Sequence, residues 1–385
     1  PEVRKWYRKV LISSHLLKVE LFGPHWMLAE FQRFSNKPKV FINSDRTIKG
    51  KALLISRFDQ VIQQSVIELI SLDTFDVLQR WVPDTDSFYE LSDQKFLDKN
   101  QFQMEFSNVR NARKHPFLLS DGVLFTAPIL TKIDLNGDLV WQNYNMHFHH
   151  TIEVDHEGYI WAPASDRMDE NSFFDQSFIS DVITRVSPEG KIVYQKPVLD
   201  ILLENNFRGL IISLGRIKDH DPLHLNDIQP VLTDGPHWQR GDVFVSLRNV
   251  SMVFLYRPAT NKVLWYKVGP FIQQHDVDIL DDQRISIFNN NTLFGRTKNN
   301  ILIYDFEKNE FSQPYNDVFK DHQINTSYEG LCEIFDNGDV LIDDQNSGRI
   351  LMVDKDGNLL WEYVNVAEDG YVYRMNWGRI VDLSL

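Results

Sequence analysis

The 385-residue chain is acidic, with 40 Lys and Arg against 54 Asp and Glu and a formal net charge of −14 at pH 7. This charge repels a phosphate backbone and excludes general nucleic-acid binding, so an anionic ligand needs a local cluster of positive charge. The single cysteine, Cys332, excludes an intrachain disulfide and a cysteine-based zinc site, and the length suits one large all-β domain as well as two average domains.

The first 50 residues are predicted to form an N-terminal arm or short extension before a main domain at residues 51–385. Their segment KWYRKVLISSHLLKVELFG mixes basic and apolar residues. It either packs on the domain as an ordinary arm or forms an amphipathic helix near a membrane. No apolar run is long enough to span a membrane. Because the chain begins at Pro1 rather than at a methionine, an upstream signal or membrane tether is compatible with it, and we expect a periplasmic or other extracytoplasmic location.

A repeated phrase indicates the fold. It consists of an apolar stretch, an Asp/Asn/Gly turn and a short run that closes on an aromatic residue, a pattern typical of a β-hairpin. Six copies close at Trp81, Trp141, Tyr194, Trp265, Phe311 and Trp361. Their spacing of roughly 50 to 70 residues is near the size of one propeller blade. The sequence therefore predicts an all-β, six-bladed β-propeller with four-stranded antiparallel blades around a central channel, closed by a strand from the C-terminal YVYRMNWGRIVD.

Histidines precede several predicted innermost strands in the same register. In HHTIEVDHEGYIW, which starts at His149, His150 lies eight residues before Gly158, and in HDVDILDDQRISIF, His275 lies eight residues before Gln283. Innermost strands line the channel of a propeller, so residues at their starts are expected to converge although they are far apart in sequence.

Two further segments extend this set. When the segment HLNDIQPVLTDGPHWQRGDVFVSLRN is aligned on its TDG turn, His224 lies three places earlier than His150 and His275 do in their segments. It is followed by Asn226 and, after an inserted GPHWQRG, by Arg248. The run RKHPFLLSDGVLF places Lys114 and His115 near the equivalent position of the second blade. We expect these residues, with His149, to contact an anionic substrate in an electropositive pocket on an otherwise acidic protein.

Several of these patterns have a second interpretation. A histidine at the start of a strand is commonly a hydrogen-bonded structural residue, and Arg248 is also compatible with a surface ion pair. The HFHH run at 147–150 is compatible with a metal site, because histidines at i and i+2 of a strand share a face. No carboxylate or cysteine is clearly paired with it, so we predict neither a metal nor another cofactor.

Three acidic features also remain open at this point. Asp276, beside His275, either orients an imidazole or caps a turn. Glu329 lies at the matching start of the sixth blade and suits a structural or a functional role equally. The acidic stretch DRMDENSFFDQSFISD, residues 166–181, is predicted to be a loop near the channel mouth, where it would shape the acceptor pocket.

The motifs resemble those of a known family. HH before a strand, H-x-N followed by S-x-R, and QHD before another strand are together similar to the bacterial arylsulfate sulfotransferases, over roughly residues 50–385. These six-bladed propellers pass a sulfuryl group from one phenol ester to another phenol through a sulfated histidine, without a nucleotide donor. The resemblance implies that His275 is the transient nucleophile, that His224, Asn226 and Arg248 hold the sulfuryl oxygens, and that His150 serves in acid–base work or oxyanion binding.

The chemistry of the residues agrees with this assignment. A sulfuryl group carries one negative charge, so its transfer needs a divalent metal less than phosphoryl transfer does. A neutral imidazole is a suitable nucleophile, and arginine offers a planar fork for two oxygens.

We predict a sulfotransferase with a small aryl sulfate donor and a phenolic or other hydroxyl acceptor. The alternatives are an aryl sulfate hydrolase and a catalytically silent binding or scaffold propeller. The GPHWQRG insertion lengthens the family interval between His224 and Arg248, which bears on where Arg248 lies.

Overall fold

A computed structural model of the chain describes residues 27–43, 48–90, 114–126, 128–168, 178–214, 221–293 and 296–383. The N-terminal segment for which an arm or an amphipathic helix is predicted therefore lies outside the described residues. Within the described ranges, the strands form six large antiparallel sheets that follow one another along the chain, and one separate two-stranded hairpin. No helix in these ranges is long and apolar enough to cross a membrane.

The six sheets are the predicted blades, with their strands named from the axis outward. Blade 1 consists of Met375–Asp382, Lys51–Asp59, Gln64–Ser71 and Val77–Trp81. Blade 2 consists of Lys114–Leu119, Gly122–Thr126, Leu130–Ile133 and Leu139–Asn143. Blade 3 consists of the short strands His147–Phe148 and Glu153–Val154, then Ile160–Met168, Phe178–Val186 and Ile192–Pro197.

Blades 4 to 6 continue in the same order. Blade 4 consists of Leu225–Pro230, Val243–Leu247, Met252–Arg257 and Lys262–Val268. Blade 5 consists of Val277–Ile279, Arg284–Asn289, Asn300–Asp305 and Glu310–Ser312, with a small hairpin of Thr292–Leu293 and Arg296–Thr297. Blade 6 consists of Leu331–Ile334, Val340–Asp344, Arg349–Val353, Leu359–Val364 and Val40–Ile42. Short α-helices occupy Thr85–Glu90, Val198–Glu204, Arg208–Leu214 and Asn316–Asp321.

The chain closes the ring with its own C-terminal end. Met375–Asp382 pairs antiparallel with Lys51–Asp59 and becomes the innermost strand of blade 1. The predicted six-bladed propeller and its closing strand are thus confirmed. Val40–Ile42 pairs with the outermost strand of blade 6, so part of the first 50 residues joins the ring as a fifth strand there. Closure of this kind leaves no long unpaired edge between the first and last blades.

The repeated aromatic residue of each hairpin packs between neighbouring blades. The indole of Trp81 in blade 1 donates a 3.0 Å hydrogen bond to the carbonyl of Leu135 in blade 2. The indole of Trp141 in blade 2 donates a 2.9 Å bond to the carbonyl of Pro188 in blade 3. All six boundaries between neighbouring blades also contain an apolar cluster. The repeat therefore exists because every blade must bury an aromatic and aliphatic face against the next blade.

The acidic stretch at 166–181 is not a loop throughout. Strands Ile160–Met168 and Phe178–Val186 pair along their whole length, up to Met168 and Phe178, and only residues 169–177 between them lie outside the description. The loop prediction is wrong at both ends, because the two strands of this hairpin are nine residues long. As a result, Asp181 lies within a strand of blade 3 and is buried.

Candidate active site

Each blade has a backbone kink near the start of its innermost strand. One residue other than glycine has a φ between 34° and 60° at this level in every blade: Trp377, His115, His150, His224, Gln273 and Glu329. This left-handed conformation is costly for residues that carry a Cβ atom, and such strain is concentrated at functional sites. The repeated kink marks one mouth of the channel, where three of the six residues are histidines.

The structure brings the predicted histidines together at this mouth. The ring of His150 lies 5.0 Å from the ring of His224 and 6.0 Å from that of His275, measured between centroids. His149 and His115 lie 5.0 Å and 6.2 Å from His150. Four blades contribute these five rings, which are separated by up to 160 positions in sequence. The functional interpretation of the sequence requires these histidines to converge at the channel mouth.

His275 is held by hydrogen bonds at both ring nitrogens and is 1% exposed. Its Nδ1 lies 2.6 Å from Oδ1 of Asn290, whose Nδ2 donates to the carbonyls of Thr326 and Glu329. The amide orientation is thereby fixed, so Nδ1 carries the proton and Nε2 carries the lone pair. Nε2 accepts a 2.9 Å bond from the backbone N–H of Glu329. Burial, followed by the charge of Arg248, holds the pKa of His275 well below its usual range, and the ring is neutral at pH 7.

His224 and His150 are also held through Nδ1, but by different partners. Nδ1 of His224 lies 2.5 Å from a carboxylate oxygen of Asp221. Nδ1 of His150 lies 2.8 Å from Nδ1 of His149, and the His149 ring also bonds the carbonyl of Ala164. One of the two Nδ1 atoms therefore donates to the other. Burial holds the pKa of both His149 and His150 well below the usual range. Nδ1 of His275 therefore carries a proton and its Nε2 a lone pair, whereas Nδ1 of His224 faces a carboxylate and Nδ1 of His150 shares a hydrogen bond with His149.

Two cations accompany the neutral rings. The backbone N–H of Arg248 donates a 3.0 Å bond to the carbonyl of His224, which places Arg248 directly beside that histidine. Its guanidinium donates to the side-chain amide oxygens of Asn249 and Gln273. Nζ of Lys114 lies 3.7 Å from Oε1 of Glu329, and the lysine side chain is 40% exposed. The mouth thus combines imidazoles without charge and two side chains with permanent positive charge.

The GPHWQRG insertion does not displace Arg248. It lies in the turn between the first two strands of blade 4, at the end away from the histidines, and pairing resumes at once between Pro230 and Val243. Trp238 of the insertion is buried in the apolar cluster between blades 4 and 5. The added residues contribute packing at one end of the blade and leave the strand register at the other end unchanged.

The strand register also corrects the alignment of blade 4. The innermost strands of blades 4 and 5 can be aligned on their last paired residues, Pro230 and Ile279. In this alignment Asn226 matches His275. His224 then lies two places before the matching position, rather than three. Asn226 is fully buried, and its Nδ2 donates a 2.8 Å bond to the carbonyl of Gln274. This bond fixes the backbone immediately before His275.

Asp276 neither orients an imidazole nor caps a turn. Its Oδ2 accepts a 3.0 Å bond from the backbone N–H of Cys332 in blade 6. Asp227 makes the same bond from blade 4 to Val277 in blade 5, at 2.8 Å. These aspartates link consecutive innermost strands and so fix the relative positions of the histidines that precede them.

The HFHH run shows no metal geometry. Among the described residues, no His, Cys, Asp or Glu group is arranged to hold a metal ion. His147 contacts Ser165, with 3.4 Å between Nδ1 and Oγ, and His149 and His150 bond each other.

Sequence reasoning missed two partners of the site histidines. Asn290 belongs to an NNN run fifteen residues after His275, and Asp221 lies three residues before His224. The only signal in the sequence is the close spacing of Asp221 and His224. Nothing in the run at 289–291 distinguishes Asn290, because the fold alone decides which of its amides faces an imidazole.

Comparison with known protein families identifies the class of this protein. The sequence model of the arylsulfotransferase (ASST) family matches residues 127–366, which include all the predicted site residues except Lys114 and His115. The chain belongs to the arylsulfotransferase family. No curated protein matches the chain.

Two solved structures are similar to the chain at low sequence identity. A protein of unknown function from Bacteroides caccae is 11% identical, with a TM-score of 0.53 over 85% of this chain and 98% of that chain. The WD40 β-propeller domain of Doa1 is 11% identical, with a TM-score of 0.44 over 87% of this chain and 90% of that chain. The first likeness shows the fold alone.

Proposed function

We propose that the protein is a sulfotransferase that moves a sulfuryl group from an aryl sulfate to an acceptor hydroxyl through a sulfated His275, without a nucleotide donor. Family membership supports the reaction class. The observation that carries the proposal is the state of His275, which is a neutral ring with Nδ1–H on Asn290 and a lone pair on Nε2, near the charge of Arg248. A nucleophile of this kind needs no prior loss of a proton.

In the first half-reaction, Nε2 of His275 gives up its hydrogen bond from the Glu329 N–H and its lone pair attacks sulfur, while the bond between sulfur and the phenolic oxygen breaks and phenolate departs. Arg248 and Lys114 offset the charge on the sulfuryl oxygens. The sulfated ring keeps its Nδ1–H and is cationic, and the neutral carbonyl of Asn290 accepts that proton's hydrogen bond without removing it. A cationic ring is a good leaving group, which favours onward transfer over a stable adduct.

The departing phenolate needs a proton, and His224 is best placed to supply it. Of the three site histidines, only His224 has a carboxylate, Asp221, on its Nδ1, and a carboxylate stabilises the imidazolium form. In the second half-reaction the acceptor oxygen attacks sulfur, the bond from sulfur to Nε2 of His275 breaks, and His224 takes the proton of the acceptor. The neutral His150 packs between the two working rings.

The test uses 4-nitrophenyl sulfate with and without a second phenol. We expect nitrophenol release that depends on the phenol, and a His275 peptide that gains one SO₃ group when the acceptor is left out. Replacement of His275 with Ala should abolish both signals, whereas His156→Ala, at an exposed turn of blade 3, should leave both unchanged. Continued release without the phenol, beyond the single equivalent that accompanies sulfation of His275, indicates a hydrolase, and no release with either mixture indicates a silent binding protein. Sulfation of His224 instead of His275 would overturn the assignment of the nucleophile.

A further inference from the structure

Asp181 is a buried carboxyl group at the histidine mouth that the proposed transfer does not use. It belongs to strand Phe178–Val186 of blade 3 and is 2% exposed. On one side, its Oδ1 lies 3.8 Å from Nε2 of His149. On the other side, its carboxyl accepts hydrogen bonds from the backbone N–H groups of His224 and Leu225 in blade 4. Asp181 therefore connects the two blades at the level of the site.

The surroundings of Asp181 do not suit a negative charge. Among the described residues, the ion-pair contact of its carboxyl is with His149, and burial holds the pKa of that ring well below its usual range. The second oxygen of the carboxyl, Oδ2, is buried without a hydrogen-bond partner. An isolated carboxylate is costly to bury, so a carboxyl in this position keeps its proton. In agreement, burial and then the charge of Asp221 raise the pKa of Asp181 well above its usual range.

The neighbouring carboxyl, Asp221, is the partner of the proposed acid–base histidine. Its Oδ2 lies 2.5 Å from Nδ1 of His224, and its side chain is 26% exposed. Two adjacent carboxyls do not readily ionise together, and the more exposed one that faces an imidazole is the better place for the charge. An ionised Asp181 would add a second negative charge near His224. That charge would hold a proton on the ring more firmly and oppose its release to a leaving group.

We propose that Asp181 is a positioning residue for the acid–base step, which holds the backbone of His224 in place and stays uncharged, so that Asp221 alone is the charged carboxyl beside this histidine. The role rests on the proposed sulfotransferase function, in which His224 exchanges a proton with the leaving and attacking oxygens. His224 has a left-handed backbone, with a φ of 56°, and such a conformation persists only where surrounding contacts hold it. Asparagine has the shape of a protonated aspartate and accepts the same backbone bonds, so it should replace Asp181.

The test compares two donors that differ in their need for a proton. The phenolate of 4-nitrophenyl sulfate leaves without a proton donor, whereas the phenol of phenyl sulfate has a pKa near 10, as tyrosine does, and its departure benefits from one. We expect Asp181→Ala to slow sulfation of His275 by phenyl sulfate by roughly tenfold or more, and sulfation by 4-nitrophenyl sulfate by less than about threefold. Quenched rapid mixing measures both rates.

Two further variants separate this role from a general structural one. Asp181→Asn should keep both rates within about twofold of the wild-type protein, because the hydrogen bonds remain and no charge is lost. Asp200→Ala removes an exposed carboxyl from the helix Val198–Glu204 that follows blade 3, and it should leave both rates unchanged. If Asp181→Ala does not fold, Asp181→Ser is the substitute, since its shorter side chain also loses the backbone bonds, and the same difference between donors is expected.

An equal fall with both donors in Asp181→Ala would overturn the inference, because it would indicate a structural role alone. Loss of phenyl sulfate turnover in Asp181→Asn would overturn it as well, since the charge would then be required.

The charge of Asp181 can also be measured without turnover. The infrared difference spectrum between the wild-type protein and Asp181→Asn at pH 7 should contain the C=O stretch of a protonated carboxyl. A carboxylate signal in its place would contradict the uncharged state. If the protonated signal is present but the wild-type protein turns over neither donor, the proposed sulfotransferase function is refuted while the uncharged state of Asp181 stands.

Discussion

The two ends of the central channel carry opposite chemistry on the same strands. At one mouth lie His150 and His275, and three residues further along each strand lie Glu153 and Asp278. Glu333 of blade 6 joins these two carboxylates around a cavity of about 410 Å³, in which Arg379 is the single arginine and no lysine is present among the described lining residues. A strand rises about 3.3 Å per residue, so the change from imidazole to carboxylate takes place over about 10 Å.

This difference explains how an acidic protein keeps a site for anions. The carboxylates inside the channel are close to one another, and burial together with mutual repulsion raises the pKa of Asp278 well above its usual range and that of Glu333 to about 7. Arg379 offsets part of their charge through a 2.6 Å ion pair with Glu153. Under the proposed function, Lys114 would attract an anionic substrate to the histidine mouth and the acidic channel behind it would repel the same substrate.

Removal of a cation from the histidine mouth should have the largest effect. We expect Arg248→Ala to lower kcat/KM for 4-nitrophenyl sulfate by roughly a hundredfold, because a fixed donor to charged oxygens is lost. Arg240→Ala, in the turn at the other end of the same blade, is the control and should retain full activity. Equal activity in both variants would mean that Arg248 does not meet the substrate.

A change at the carboxylate end should affect stability and not transfer. Glu333 has a pKa of about 7 in the folded protein, against a usual value of 4.5. The folded state therefore holds the proton more tightly, and stability falls as the pH rises from 4.5 to 7. We expect Glu333→Gln, which cannot ionise, to raise the free energy of unfolding by roughly 2 kcal/mol at pH 8 and by little at pH 4.5. Denaturant unfolding at the two pH values measures this difference.

An equal gain from Glu333→Gln at both pH values would show that the effect is packing rather than ionisation. A loss of sulfuryl transfer in this variant would contradict the separation of the two channel ends, because the substitution lies about 10 Å or more from the histidine mouth.

The fold was accessible from the sequence because its signals are local and repeated. The hairpin at TKIDLNGDLVW and the closing Trp141 identify themselves within a dozen residues, and six such hairpins limit the architecture to a ring. The shared register of His150 and His275 was likewise visible, since both are counted from a nearby turn. The GPHWQRG insertion shows the limit of such counting, because a longer turn shifts the sequence interval but not the strand pairing.

The partners of the histidines were not accessible in the same way. Asn290 meets His275 across a bend after the second strand of blade 5, and Glu329 reaches the same ring from blade 6. Contacts of this kind depend on how the blades are placed around the axis, which no local pattern records. Asp276 shows the opposite case. It is adjacent to His275 in sequence, but its hydrogen-bond partner is the backbone N–H of Cys332 in blade 6.

A smaller effect is expected at the rim of the histidine mouth. Lys114 is 40% exposed, so water and salt screen its charge far more than that of a buried group. We expect Lys114→Ala to raise KM for 4-nitrophenyl sulfate by roughly fivefold in low salt, with kcat nearly unchanged. The increase in KM should be smaller in ~0.5 M salt. The Debye length there is ~3–5 Å, so salt already weakens the attraction between Lys114 and the substrate in the wild-type protein. A salt-independent increase would indicate a direct structural role instead.

The smallest expected effect concerns pH, and it tests whether the histidine mouth is as enclosed as its burial indicates. His275 needs a free lone pair, and burial lowers its pKa, so the neutral fraction stays close to one as the pH falls through 6.5. With 4-nitrophenyl sulfate, whose phenolate leaves without a proton donor, the rate of His275 sulfation should change by less than about twofold between pH 8 and 6.5. Rapid-mixing measurement of nitrophenol release gives this rate. If the rate of sulfation falls to half near pH 6.5, the ring of His275 is as accessible to solvent as a free histidine. The contrast between a sealed imidazole cluster and an acidic channel would then not hold.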